Sequence, residues 1–309
     1  MKPFSIVAAL SMLAISAAGA ATPSAPAKTA EPEYVDAINQ WHDSVEKSLR
    51  RDNGWLTLAG RFIMKPGVNT FGTASTNDII FPPELKGTGP GVIGTITVDP
   101  AKKSVMLKLN DGVSMTSDGK PFSGERALKF DPANRDWVSL DRISMHVIAR
   151  DGRYILRLAD NESLVRKNFP GRVWYDVNPA FRVDAKFVAY PPGKKLSIVN
   201  VIDEVSEEPC SGYVEFTLKG KKYKMDVVGE DEGMFFVMRD GTSGDTTYRP
   251  SRFLYIDKKP KTNEIFQLDF NKTYNPPCAF SEFTTCPLPP EQNILKTRIE
   301  AGEKYRKLG

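Results

Sequence analysis

The residues best equipped for chemistry gather late in the chain, in Met234–Leu254 (MFFVMRDGTSGDTTYRPSRFL) and Phe266–Cys278 (FQLDFNKTYNPPC). In the first, an apolar run ends at Arg239 and Asp240. It continues through Thr242, Thr247 and Tyr248, then returns through Arg252 to a second apolar run. In the second segment, Asp269, Asn271, Tyr274 and Asn275 close an apolar run of their own. Arginine and aspartate beside hydroxyls and amides hold small polar, anionic or sugar-like ligands through charge-assisted, directional hydrogen bonds. The expected pocket therefore lies between residues 239–252 and 269–275. An alternative makes Asp240 and Asp269 the paired carboxylates of a hydrolase or transferase, a role that needs them within about 10 Å of each other. Asp240, Thr242 and Asn275 are also ordinary turn builders, so a structural or interaction module is a third reading.

Other chemistries find less support. The two histidines, His42 and His146, fall in different elements, and no His-x-x-x-His or Cys-x-x-Cys pair occurs, so no metal site is expected. His42 reads as a surface helix residue. His146 lies off the apolar row of Ile143, Met145 and Val147 and reads as structural or surface. Ser44–Lys47 imitates a Ser-x-x-Lys nucleophile without its companion motifs, and Gly241–Asp245 lacks the final glycine of a nucleophile elbow. No phosphate loop or dinucleotide fingerprint follows a strand, so no cofactor is expected. With 42 basic and 38 acidic residues, the net charge of +4 forms no concentrated stripe, which argues against nucleic acid. The local cluster Lys219–Lys224 fits a hairpin tip.

Of the three cysteines, Cys278 and Cys286 stand in the proline-rich stretch YNPPCAFSEFTTCPLPP with no histidine nearby. An exported chain favours joining them as a disulfide. The nine-residue loop so closed would be stabilised by about 2.5 kcal/mol in the chain-entropy model. Cys210 is then the odd thiol, either buried or a rival partner for one of the pair.

The elements that must position these residues follow from pattern. Lys2, the apolar run Phe4–Ala17 and the small residues Ala18-Gly19-Ala20 make a cleavable leader over residues 1–20. The run is shorter than the roughly 20 residues that span a bilayer. This predicts a periplasmic or secreted protein, cut near Ala20, with no stable membrane anchor afterwards. Residues 21–33, rich in Ala, Pro, Ser and Thr, read as a disordered tether. Tyr34, Ile38, Trp41, Val45 and Leu49 share one face of an amphipathic helix over 34–54, with Asn53-Gly54 as its stop. Short alternating runs then recur, parted by turn residues such as Asp111-Gly112, Asp118-Gly119 and Asp151-Gly152. The predicted fold is mainly β: an antiparallel sandwich or barrel of two packed subdomains, 55–165 and 166–309, behind the N-terminal helix.

Several long segments resemble a bacterial domain-of-unknown-function family, number 1684. They are FFVMRDGTSGDTTYRPSRFLY, LDFNKTYNPPCAF, TCPLPPEQN and AGEK, and upstream Gly54–Pro82, RYILRLAD and FPGRVWY. The resemblance runs over nearly the whole chain after the leader and implies an exported or cytosolic mainly-β protein of unassigned activity. It carries family motif positions onto Arg239, Asp240, Thr242, Thr247, Tyr248, Arg252, Asp269, Asn271, Tyr274, Asn275, Cys278 and Cys286. Lys296 stands where family members often have proline, which leaves the last segment open between strand and short helix. Gly67–Phe81 is also similar to the opening hairpin of a forkhead-associated sandwich, a phosphothreonine-binding fold. Thr73 replaces that family's arginine, and Ser144-Met145-His146 has the wrong spacing for its downstream signature. This likeness lends its sandwich shape to residues 55–165.

Overall fold

The computed structural model describes residues 32–150, 152–229 and 232–307. The expected leader at 1–20 and residues 21–31 of the expected tether lie outside the described residues. Pro32 and Glu33, expected in the tether, already belong to helix α1 (Pro32–Arg50). Glu33 in its first turn and Lys47 and Arg50 in its last complement the helix dipole. The helix stops at Arg50, earlier than expected. Asn53 then takes a left-handed φ of 58°. A side chain on Gly54 would meet the Leu49 and Arg51 carbonyls at 2.8 Å, so the exit turn requires glycine.

The amino-terminal half opens with β1 (Leu58–Met64), β2 (Gly67–Gly72), β3 (Ile79–Ile80), β4 (Gly94–Asp99), β5 (Ser104–Leu109) and β6 (Met115–Ser117). It is completed by β7 (Lys120–Phe122), β8 (Glu125–Ala127), β9 (Val138–Leu140), β10 (Ile143–Arg150) and β11 (Arg153–Asp160). One sheet runs β1-β11-β10-β9-β6-β7 and the other β3-β2-β4-β5-β8. Alternation in β4 and β5 buries Ile96, Val98, Val105, Leu107 and Leu109 against Met145, Val147, Leu156 and Leu158 of the opposite sheet. Two sheets packed face to face over one core make a sandwich. Asp118 and Gly119, with φ of 51° and 74°, form the tight turn that joins β6 to β7.

The carboxy-terminal half begins with α2 (Leu164–Lys167), β12 (Val173–Trp174), β13 (Arg182–Ala189), β14 (Lys195–Val199), β15 (Val205–Pro209) and β16 (Gly212–Leu218). It ends with β17 (Lys221–Asp226), β18 (Met234–Met238), β19 (Arg252–Ile256), β20 (Ile265–Asp269) and β21 (Glu303–Lys304). The sheet β17-β16-β13-β20 packs on the ribbon β18-β19 through Phe187, Val214, Phe216, Met225, Phe236, Leu254 and Leu268. Lys219-Gly220 forms the tip of the β16–β17 hairpin. The pairing is antiparallel apart from the short β2–β3 contact and isolated bridges, and no sheet closes into a barrel among the described residues.

The last segment is neither a regular strand nor a full helix. Glu291–Asn293 makes one 3-10 turn, and the extended chain after it bonds alongside Arg239. Helix α1 is pinned where the halves meet: Leu49 packs with Leu56, Phe169 and Phe280. Among the described residues, no helix is long and apolar enough to cross a membrane.

Candidate functional site

The polar residues singled out by sequence divide into three groups. The first is a latch around Arg252, whose side chain has no exposure at all. Its Nη1 donates to Asp240 Oδ2 at 2.6 Å and to the Ile299 carbonyl at 3.0 Å, and its Nη2 donates to Thr273 and to the Ala301 carbonyl. Asp240 Oδ1 accepts from the Thr242 backbone N–H and hydroxyl, and the Thr242 hydroxyl meets Thr247 at 2.9 Å. These bonds tie the 240–252 loop to residues 299–301. A charge pair at this depth is tolerated because its hydrogen-bonding capacity is nearly filled from within the fold. Arg239 uses its backbone to hold Asn293 and Leu295. Tyr248 donates its hydroxyl to the Cys278 carbonyl at 3.0 Å.

The second group docks helix α1. Asp269 Oδ1 accepts from the Asn271 backbone and amide, while its Oδ2 accepts from the Tyr34 hydroxyl at 2.8 Å. Burial and the Asp269 carboxylate push the Tyr34 phenol up. The Asn271 amide also donates to the Asn178 carbonyl, and its Oδ1 accepts from the Asn178 N–H. His42 is buried, contrary to its surface reading. Its Nε2 donates to the Asn271 carbonyl at 3.1 Å, and its ring stacks on Trp174 at 3.7 Å. Burial pushes that imidazole down. Asp240 and Asp269 therefore serve two different sets of partners, each carboxylate occupied by its own neighbours.

The third group, Tyr274 and Asn275, lines a cavity of about 480 Å³, within the size range of small-molecule pockets. Helix α1 supplies Trp41, Val45 and Ser48, and the turn after it supplies Trp55. Phe235, Phe253 and Tyr255 come from the β18–β19 ribbon, and Phe280 from the proline-rich loop. Tyr274 exchanges both backbone hydrogen bonds with Phe253, which fixes its ring edge-on to Phe253 and near Trp41. Burial pushes the Tyr274 phenol up to about 12, so it is a neutral hydroxyl at any ordinary pH.

Behind this aromatic wall lies an ion pair between Arg172 and Glu303, both almost wholly buried. Glu303 also accepts from the Asn275 N–H at 2.7 Å. Burial pushes its carboxyl up to about 7 even with Arg172 beside it. The Asn275 amide donates to the Lys304 carbonyl, which leaves its Oδ1 buried with no partner. Arg172 Nε is likewise buried and unpartnered. Leaving a buried donor or acceptor unsatisfied costs about 1–3 kcal/mol. Asn275 and Arg172 both line the same pocket.

The Cys278–Cys286 disulfide, with Cα atoms 6.0 Å apart, closes the loop that carries Phe280, while Cys210 is a buried free thiol. Among the described residues, no three His, Cys, Asp or Glu side chains gather as metal ligands. A larger trough of about 1280 Å³ lies over the four-stranded sheet, but its charged rim is already paired internally, as in Lys186–Glu215–Lys224.

The structure thus brings Tyr274 and Asn275 to a pocket but places Asp240, Thr242, Thr247 and Arg252 in the latch. Sequence reasoning missed Arg172, Trp41 and Trp55 as pocket residues, and Glu303 as the partner of Arg172. Arg172 and Glu303 are 131 positions apart, so no local spacing announces them. The one available signal for Trp41 was its place on the apolar face of α1.

Residues 167–304 match a family described as a protein of unknown function, DUF1684. The upstream segments Gly54–Pro82 and Arg153–Asp160 lie outside that match. No curated protein matches the chain. A solution NMR structure of an uncharacterized protein from Haloarcula marismortui is similar at 29% identity, covering 45% of this chain and 78% of that one, with a TM-score of 0.38. Residues 167–304, which carry the latch, the stapled loop and most of the pocket, are the part of the chain that is similar to the DUF1684 family.

Proposed function

We propose that this protein binds a small polar molecule or glycan in the aromatic pocket beside Arg172, Tyr274 and Asn275. The observation that carries the reading is the pair of unfilled buried groups on residues that line one pocket, Asn275 Oδ1 as acceptor and Arg172 Nε as donor. A ligand hydroxyl both donates and accepts, so it suits the pair after a small side-chain shift. Aromatic rings elsewhere in the lining suit the apolar face of a sugar or similar ring. This site adjoins the predicted one at Tyr274 and Asn275 but turns away from the 239–252 loop. Asp240 and Asp269 take no part in it, and no observation favours a paired-carboxylate reaction. The leader sequence at residues 1–20 and the disulfide support placing this binding in the periplasm or outside the cell.

Trp41 and Trp55 at the pocket make intrinsic fluorescence the direct readout. Titration with a panel of monosaccharides, disaccharides, polyols and hydroxy acids is expected to give a saturable change for at least one class. Ser48→Trp, an exposed helix position at the pocket, should fill the space and abolish that change without lowering the melting temperature. A flat response across the panel, or equal binding by Ser48→Trp, overturns the reading.

A further inference from the structure

A second, differently charged site stands on the outer face of the six-stranded sheet. Arg61 of β1 lies opposite Arg157 of β11, which lies opposite His146 of β10. Directly opposed residues on neighbouring antiparallel strands share a face. The adjacent row, Phe62–Leu156–Val147, points into the sandwich core, so the Arg61–Arg157–His146 row points away from it. The segment before β9 brings in Arg135, and Trp137 lies 4.0 Å from the His146 ring. The Arg157 guanidinium rests over Trp55 at 5.7 Å.

This concentration of positive charge lacks a matching acid among the described residues. Among the described residues, no carboxylate forms an ion pair with Arg61, Arg135 or Arg157. Glu204, whose charge reaches Arg61, is held by Arg153 at 2.5 Å and by Asn200. Glu208 faces Arg150. Arg61 Nε, Arg157 Nε and His146 Nδ1 are all buried without a hydrogen-bond partner, and His146 is only 5% exposed. Burial, then the charges of Arg61, Arg135 and Arg150, push the Arg157 guanidinium down to about 10. Burial, then Arg135 and Arg157, push the His146 imidazole down to about 3.

We infer that Arg61, Arg135, Arg157 and His146 form a binding site for a phosphate-class oxyanion on the sheet face. Guanidinium forks match the oxygen pairs of a tetrahedral oxyanion, and a doubly charged anion offsets more of the cluster than a single carboxylate does. Neutral His146 can donate from Nδ1 to the same oxygens. The inference is independent of the aromatic pocket, although Trp55 touches both places. None of the four residues lies within Gly67–Phe81.

The test follows the His146 ring by NMR, in a chain with two histidines, while inorganic phosphate or pyrophosphate is added at constant ionic strength. A parallel arm measures pelleting with vesicles of phosphatidic acid in phosphatidylcholine. Saturable movement of the His146 signals by a soluble anion identifies free phosphate as the source. Pelleting without that movement identifies a lipid headgroup. In either arm, Arg61→Gln, Arg157→Gln and the loop variant Arg135→Gln should each weaken binding roughly tenfold or more. Circular dichroism melts confirm folding, and Ser48→Trp should bind phosphate like the parent. The inference is overturned if neither arm responds, or if the response persists unchanged in folded arginine variants.

Discussion

Arg252 and His146 show how depth decides what a polar residue does. Arg252 has the chemistry of an anion receptor, yet every donor that leaves its guanidinium tip is taken by Asp240, Thr273 or the 299–301 backbone. Arg252→Ala therefore tests the fold and not ligand recognition. It leaves Asp240 as an uncompensated buried charge and is expected to cost about 3–5 kcal/mol, read as a lowered urea midpoint. His146 makes the opposite kind of demand, since its site favours the neutral ring. Its pKa is pushed down from 6.5 to about 3 by burial and by Arg135 and Arg157. Above pH 6.5 the ring is neutral in both folded and unfolded chains, and its contribution is fully present. As pH falls toward 3, the unfolded chain takes up a proton that the fold refuses, so stability declines. The slope approaches about 1.4 kcal/mol per pH unit for one such group. His146→Gln should show a smaller loss than the parent between pH 7 and pH 4.5, measured by urea unfolding at each pH. Equal losses would mean that the ring titrates normally.

At the scale of elements, the sequence spoke most clearly where spacing alone determines structure. Tyr34, Ile38, Trp41, Val45 and Leu49 announced α1 and its inward face, and Asp118-Gly119 announced a hairpin. The alternating strands announced an antiparallel β protein. What spacing does not encode is which polar groups the tertiary fold will close over. Asp269 and Asn271 read as ligand groups because their types and position at a strand end fit that role. Their partners, Tyr34 and Asn178, come from distant elements that only the fold brings close. The pocket was half legible for the same reason: Tyr274 and Asn275 were named, whereas Arg172 and Trp55 arrive from elsewhere in the chain. The helix-docking role makes a specific demand on Asn271, which bonds Tyr34, Asn178 and Asp269 at once. Asn271→Ala should accelerate amide hydrogen exchange throughout α1 by loosening its seat, while the β4–β5 pairs, in the other core, keep their protection. Uniform acceleration in both places would argue against a local docking role.

Among the described residues, two larger apolar cores share one chain. One is built from Met64 to Leu158 and the other from Phe181 to Ala301. Each is large enough to support cooperative unfolding, so the question is what couples them. Arg153–Glu204 and Arg150–Glu208 cross between the halves, but partly exposed pairs of this kind contribute about 0–1 kcal/mol each. The stronger coupling comes from the small cluster beneath α1, where Phe169 packs with Leu49, Leu56 and Phe280. Arg50 lies over the Phe169 ring at 4.9 Å and donates to its carbonyl. Removing that ring leaves both main cores intact and empties the place where helix, sandwich and carboxy-terminal half meet. Phe169→Ala should cost about 3–5 kcal/mol. Its calorimetric trace should separate toward two transitions, because the coupling fails before either core does. The same variant should also lose ligand binding at the aromatic pocket, since Leu49 and Phe280 stand in both the cluster and the pocket wall. A single sharp transition at lower temperature would instead make the halves one cooperative unit held together by more than this cluster.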